Sequence, residues 1–247
     1  MSSLLEARDI AVRYGAVEAV QGVSFDVAAG EVLGICGDNG AGKSSLIKVL
    51  AGAQTPSAGE IRLDDAPVVF ASPAAALRAG IATIYQDLAL APRLSIYQNV
   101  FLGSELTRRS LLPGLRVLDK AAMRSEARKH LGTLKIELPS MDAPVSGLSG
   151  GQRQAVAISR ALRWQARLVL LDEPTAALGV QEKARVLDYL RHLKAAGVTV
   201  LLISHNLDDV LATCDRVLVL KNGRKVGDRP VAELSEARLS QLIMTGR

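Results

Sequence analysis

One stretch restricts the possible folds more than any other: Gly37-Asp38-Asn39-Gly40-Ala41-Gly42-Lys43-Ser44. It fits the phosphate-loop pattern and stands between residues 31–36, which read as an apolar strand, and residues 44–51, which read as a helix. Ordinary residue usage produces the pattern by chance in roughly one chain of this length in a hundred, and the strand–loop–helix context lowers that further. Glycines let successive backbone N–H groups curl around phosphate oxygens, and the helix N-terminus adds a favourable dipole. The dipole supplies only about 0.3–1 kcal/mol per anionic group. A triphosphate therefore also needs the ammonium of Lys43 and a metal ion, for which Ser44 offers a hydroxyl.

Three further apolar runs end in polar residues. Residues 81–85 run into Gln86, residues 168–171 into Asp172-Glu173, and residues 200–204 into His205. In a mostly parallel sheet the carboxyl ends share one edge, where ligands bind. This predicts Gln86, Asp172, Glu173 and His205 beside the phosphates. Asp172 is then the expected partner of Mg²⁺ through water, and Glu173 is left to polarise the attacking water. Taken alone, adjacent carboxylates at a strand end are often merely solvated. Their alignment with the loop is what points to chemistry. A second anion cradle is expected at Leu148-Ser149-Gly150-Gly151-Gln152, where Ser and two glycines open a helix, although a simple helix cap has the same composition.

The 247 residues allow one large domain or two small ones, and 49% hydrophobic content excludes broad disorder. With aromatics at 3%, the core must be built from Ala, Val, Leu and Ile. No apolar run is long enough to cross a bilayer, and residues 1–6 lack the pattern of a secretory leader. The two cysteines, Cys36 and Cys214, make no disulfide framework and fit a reducing compartment. Cys36 reads as a small buried hydrophobe; His130 and His192 read as solvated. A net charge of +5 fits ordinary solubility, and no aromatic-rich basic stripe suggests nucleic acid.

Residues 4–14 and 20–27 read as antiparallel strands, and residues 59–69 as a hairpin turning at Asp64-Asp65. Ser72 caps a helix with Pro73 at its first position. Residues 95–134 read as mainly helical, broken by a loop over 110–116 that contains Pro113-Gly114, with Asp119 as a cap. Residues 139–147 read as a linker, and 149–164 as a further helix. Beyond it come a strand over 168–171, a helix over 180–195, a strand over 198–203, a helix over 206–212, a hairpin around Asn222-Gly223 and a closing helix over 235–244. The expected division is a core of residues 1–86 and 165–247 with a helical subdomain over 87–164.

Taken in order, these motifs resemble the ATP-binding cassette (ABC) transporter ATPases across nearly the whole chain. Leu148 to Gln152 looks like the signature motif, residues 168–173 like the Walker B strand, and Gln86 and His205 like the Gln and His loops. The resemblance implies an α/β P-loop NTPase core of ABC-ATPase type, with an N-terminal antiparallel β region and an inserted α-helical subdomain. It implies binding of ATP and Mg²⁺ by Gly37, Asp38, Asn39, Gly40, Ala41, Gly42, Lys43, Ser44 and Ser45, with Ser44, Gln86 and Asp172 around the metal. Glu173, His205 and Gln86 would serve hydrolysis, and Tyr14 would stack on adenine, although Tyr14 could equally be an ordinary sheet residue. It also explains the second cradle. Two cassettes face each other head to tail, and Ser149, Gly150, Gly151 and Gln152 of one bind the γ-phosphate held by the other.

Ser204-His205-Asn206-Leu207 and Glu173-Pro174-Thr175-Ala176-Ala177-Leu178-Gly179-Val180 narrow the resemblance to bacterial monosaccharide importers, nearest the fructose type. Gly179 departs from the wider family, which has an aspartate there that reaches across the dimer. The implied partners are a second copy of this chain, transmembrane permease subunits and, indirectly, a sugar-binding protein, at the cytoplasmic side of the bacterial inner membrane. Residues 86–103 are expected to expose apolar side chains to the permease. Another transporter, exporter or importer, is the alternative. A soluble repair or translation ATPase would need a coiled-coil insertion or a second cassette, and neither is seen.

Overall fold

The computed structural model describes residues 3–110, 115–132, 134, 136, 138–176 and 178–246. Its centre is a six-stranded sheet in the order β12-β11-β3-β10-β9-β6. The strands β3 (Val32–Cys36), β6 (Ile81–Ile84), β9 (Leu168–Asp172), β10 (Thr199–Ile203) and β11 (Arg216–Lys221) run parallel. Edge strand β12 (Arg224–Pro230) pairs antiparallel with β11. These parallel strands are apolar at almost every position because both faces are covered. Leu33, Leu170, Leu201 and Leu218 enter one core, while Val32, Val169, Val200 and Val217 enter the other.

The first core lies under a four-stranded antiparallel sheet, β2-β1-β4-β5, built from β1 (Ser3–Tyr14), β2 (Val17–Ala28), β4 (Ala58–Leu63) and β5 (Ala66–Val68). Helix α1 (Lys43–Leu50) contributes Leu46, Ile47 and Leu50 to it. Helix α2 (Pro73–Arg78) starts as its sequence predicts, with Ser72 Oγ accepting from Ala75 N and Pro73 at its first position. The second core joins the other sheet face to α3 (Ile96–Phe101), α4 (Lys120–Gly132), α5 (Gly150–Arg163), α6 (Val180–Ala195), α7 (Leu207–Thr213) and α8 (Glu236–Thr245).

Three sequence expectations are corrected here. The stretch between α3 and α4 is not helical: β7 (Thr107–Arg109) and β8 (Arg116–Leu118) pair antiparallel, so the interruption is a small hairpin. Short Arg-rich segments carry too little apolar periodicity to reveal a strand. Pro113-Gly114 lies outside the described residues. The apolar side chains of residues 86–103 mostly face inward: Ile96, Tyr97, Val100 and Phe101 are buried, and Leu88 and Leu90 pack against the same core. Helix α3, opened by a Ser95–Gln98 capping box, packs its buried side chains against α5. His130 is half-buried rather than solvated, and desolvation pushes its imidazole below the ordinary value.

Candidate nucleotide site

The phosphate loop is shaped by close backbone approaches on two sides. A Cβ on Gly37 would overlap the carbonyl oxygen of Leu220, and one on Gly42 would overlap that of Ala19. Both positions also have positive φ, 153° and 102°, so glycine is required twice over. Gly223 N donates to Ala41 O at 3.1 Å, and Gln21 N to Gly223 O at 2.8 Å, which ties the β11–β12 turn to the loop's outer side. Lys43 is buried and folds back, with Nζ donating to Gly37 O at 2.6 Å and to Asp38 O at 3.0 Å. An incoming phosphate would compete for that ammonium with two carbonyls of the same loop.

A cleft of about 670 Å³ opens over this loop. It is lined by residues 39–45 of the loop and helix start, and by Gln86, Asp172, Glu173 and His205, which the parallel strands deliver to one edge. Glu173 has φ 53°, a left-handed backbone that swings its side chain out of the strand direction. Its Oε2 lies 2.7 Å from His205 Nδ1. This is a close polar contact without the alignment of a hydrogen bond, since Glu173 Oε2 has no hydrogen-bond partner. Burial, and then the neighbouring Glu173 carboxylate, push the Asp172 carboxyl up from its ordinary value.

Gly37 and Asp38 line an adjoining cleft with His205 instead. Tyr14 is not among the residues lining the main cleft; it is 46% exposed, and its hydroxyl donates to Gln54 Oε1. Val17, Glu18, Ala19, Gln21 and Asn222 line that end of the cleft. The sequence holds no local signal for them, because a hairpin turn some 200 residues along the chain folds over β2.

Ser149, Gly150, Gly151 and Gln152 lie outside the main cleft. Ser149 caps α5, with Gln152 N donating to Ser149 Oγ at 3.4 Å and Ser149 N to Gln152 Oε1 at 3.1 Å. The predicted free N–H groups face an acid of this same chain. Gly150 N donates to Glu182 Oε1 at 2.9 Å. Desolvation works against the ionised Glu182, but hydrogen bonds from Gly179, Ser149, Gly150 and Gly151 outweigh it and hold the carboxyl below its ordinary value. The start of α5 is therefore an anion cradle in physical fact, and the anion it holds here is a residue that sequence reasoning missed. Gly179, at the position where the family resemblance expects an aspartate, caps α6 with no side chain to extend.

Cys36 is fully buried, and desolvation pushes its thiol up to about 12, in keeping with a small core residue. Among the described residues, no three His, Cys, Asp or Glu side chains stand together as a self-sufficient metal centre.

A glycine loop at the carboxyl edge of a parallel sheet, with two acids and a histidine beside it, defines a P-loop nucleotide-hydrolysing cassette. Residues 20–176 match the family described as ABC transporter. The chain is 43% identical over 243 residues to the xylose/arabinose import ATP-binding protein of Sulfolobus acidocaldarius, covering 98% of this chain and 94% of the relative. It is 46% identical over 225 residues to the fructose import ATP-binding protein of Rhizobium meliloti, covering 90% and 86%. Among solved structures it is similar to MJ1267, an ATP-binding cassette of an ABC transporter, with a TM-score of 0.86, 28% identity and coverage of 100% and 99%. The chain belongs to the ABC transporter family and is an ATPase cassette.

Proposed function

We propose that this chain is the ATP-hydrolysing subunit of a monosaccharide importer. The observation that carries hydrolysis is the gathering of Lys43, Asp172, Glu173 and His205 in one cleft. Sugar import rests on the relatives over nearly full length, one named for xylose and arabinose and one for fructose. In this reading Lys43 and the loop N–H groups bind the β- and γ-phosphates. Glu173 accepts a proton from the attacking water, and His205 holds the γ-phosphate. Gln86, at the cleft's rim, senses whether that phosphate is present.

The cleft's donors fit Mg²⁺. Ser44, Gln86 and Asp172 offer only oxygen atoms or a neutral amide, and Mg²⁺ bound with a nucleotide needs few protein ligands because phosphates and waters fill the rest. Bound there, the ion would neutralise phosphate charge.

Two copies are proposed to close head to tail around two nucleotides, each giving Ser149, Gly150 and Gly151 to the other's γ-phosphate. The separation of these residues from the cleft of their own chain supports that arrangement. The permease is proposed to dock in a groove of about 380 Å³ between α2 and the helical layer. Pro73, Leu77, Tyr85, Leu102 and Trp164 line it, and Leu102 is 40% exposed. Among the described residues no helix is long and apolar enough to cross a membrane. In this reading separate permease subunits form the membrane path and hold this chain at the cytoplasmic face. A sugar-binding protein would deliver the monosaccharide.

Reconstitution with the native permease tests the reading. ATPase activity stimulated by a pentose or hexose and its binding protein is expected. Stimulation by amino acids only, or co-purification with ribosomes or DNA, would overturn it.

A further inference from the structure

Behind the cleft, a single buried carboxylate joins the loop after Glu173 to the helix after His205. Asp209, on the first turn of α7, is 1% exposed. Its Oδ2 accepts a hydrogen bond from Thr175 Oγ1 at 2.7 Å. Its Oδ1 lies 2.7 Å from Lys183 Nζ on α6, a charge contact that lacks hydrogen-bond alignment. The backbone is held as well: Asp209 N donates to Asn206 Oδ1 at 3.2 Å, and Thr213 Oγ1 donates to Asp209 O at 2.6 Å.

A carboxylate this deep is costly unless it is paired, and an apolar residue would fill the same space without that cost. What the charge achieves is a connection. Thr175 is two residues beyond Glu173, and Asn206 follows His205 directly. Glu173 holds a left-handed backbone, a conformation that persists only where the surroundings over-determine it. Two backbone bonds fix it, Glu173 N to Ile203 O at 2.9 Å and Ala176 N to Glu173 O at 3.1 Å. The Thr175–Asp209 bond is a third anchor, and it comes from the helix that follows His205. His205 itself is 68% exposed on its side chain, so little packing holds the imidazole where it meets Glu173.

We propose that Asp209 is a positioning residue for hydrolysis: through Thr175 and the start of α7 it holds the loops of Glu173 and His205 in register, with Lys183 balancing its charge. This rests on the reading of Glu173 and His205 as the hydrolytic groups. Neither Asp209 nor Thr175 lines the nucleotide cleft, so loss of the link acts on turnover and leaves ATP binding alone.

The test compares Thr175→Val, Thr175→Ser and Asp209→Ala in the reconstituted transporter. Turnover, KM, binding of a fluorescent ATP analogue and thermal unfolding are measured for each. Thr175→Val, close to isosteric, should lower kcat by roughly 10–100-fold, the order expected when a reacting group is displaced by about 1 Å. KM and analogue affinity should stay near the native values. Thr175→Ser, which keeps the hydroxyl, should restore most of the turnover. Asp209→Ala should match Thr175→Val if it remains folded; Thr175→Val decides alone if it does not. Native kcat in Thr175→Val, parallel loss of turnover and affinity, or a Thr175→Ser variant as slow as Thr175→Val would each overturn the inference. A Glu173→Gln control separates the two levels. If that variant is inactive while Thr175→Val is native, only the positioning role fails. If it is active, the hydrolytic reading fails and takes the positioning role with it.

Discussion

The imidazole of His205 reaches the carboxylate of Glu173, with Nδ1 2.7 Å from Oε2, although the two belong to loops after different strands. Strands β9 and β10 are parallel neighbours in register, Ile203 opposite Asp172, so residues one or two beyond each strand end arrive at the same place. A histidine and a glutamate separated by 32 positions in the chain thus become one polar pair over the phosphate loop. Their separation in sequence does not predict the contact; the sheet topology does.

Glu173→Gln should keep ATP binding and lose about 10²–10⁴-fold in turnover, the contribution of a positioned general base. Lys43→Ala should instead weaken nucleotide binding, since its ammonium sits in the loop itself. Single-turnover hydrolysis and equilibrium binding separate the two. Near-native hydrolysis by Glu173→Gln would remove Glu173 from the mechanism.

His205→Ala should slow turnover by about 10–100-fold, the worth of one charge-assisted hydrogen bond to a phosphate. Because the histidine is mostly exposed and packs little, the unfolding temperature should hardly move. A variant that hydrolyses ATP at the native rate would assign His205 to the surface.

Gly37→Ala and Gly42→Ala should both abolish nucleotide binding. Each new methyl group meets a carbonyl oxygen rather than a movable side chain, at a backbone angle that favours glycine. A cost on the order of 1–3 kcal/mol in stability is expected from the strain. Isothermal titration with ATP and thermal melts measure both effects. Retained affinity in either variant would show the loop to be more yielding than its contacts imply.

Ser149→Arg, placed in a Glu173→Gln background, should bind ATP as a monomer and fail to dimerise. The guanidinium crowds only the cradle offered to the other copy, which lies outside the chain's own cleft. Light scattering with and without Mg²⁺-ATP reads the outcome. An intact ATP-driven dimer would contradict the head-to-tail arrangement.

Both thiols should resist 5,5′-dithiobis(2-nitrobenzoate) at pH 8 in the folded protein and react in guanidinium. Burial lifts Cys36 from an ordinary 9.0 to about 12 and lifts Cys214 as well. The folded chain keeps protons that the unfolded chain loses above pH 9. The associated stability is therefore complete below about pH 9 and declines as pH rises from there towards 12. Fast labelling of the native protein would show that the strand around Cys36 opens.

The phosphate loop, the parallel strands and their polar ends were legible because each is a local pattern with one structural solution. Apolar runs of five residues flanked by glycines and acids read the same way in isolation as in the sheet. Residues whose roles depend on distant partners were not legible. Val17 and Asn222 border the cleft only because a late hairpin turn folds over an early strand. Glu182 and Asp209 look in sequence like ordinary acids on helix surfaces, yet one occupies the start of α5 and the other is buried. The segment 86–103 showed its apolar content but not its direction, since only the opposing face of α5 decides whether Tyr97 and Phe101 point in or out. The arginine-rich β7–β8 hairpin had too few apolar residues to announce a strand.

The dependence of the phosphate loop on the β11–β12 turn sets an order of events during synthesis. The loop's outer wall consists of Leu220 and Gly223, and β3 gains one of its two neighbours only when β11 pairs with it. At about 5–20 residues per second, that wall leaves the ribosome roughly 10–40 s after the loop it supports. Until then the glycine-rich segment lacks the Leu220 carbonyl against which Gly37 packs and the Gly223 N–H that bonds Ala41 O. A nascent chain that ends before residue 223 therefore carries the phosphate-loop sequence without the outer wall that shapes it.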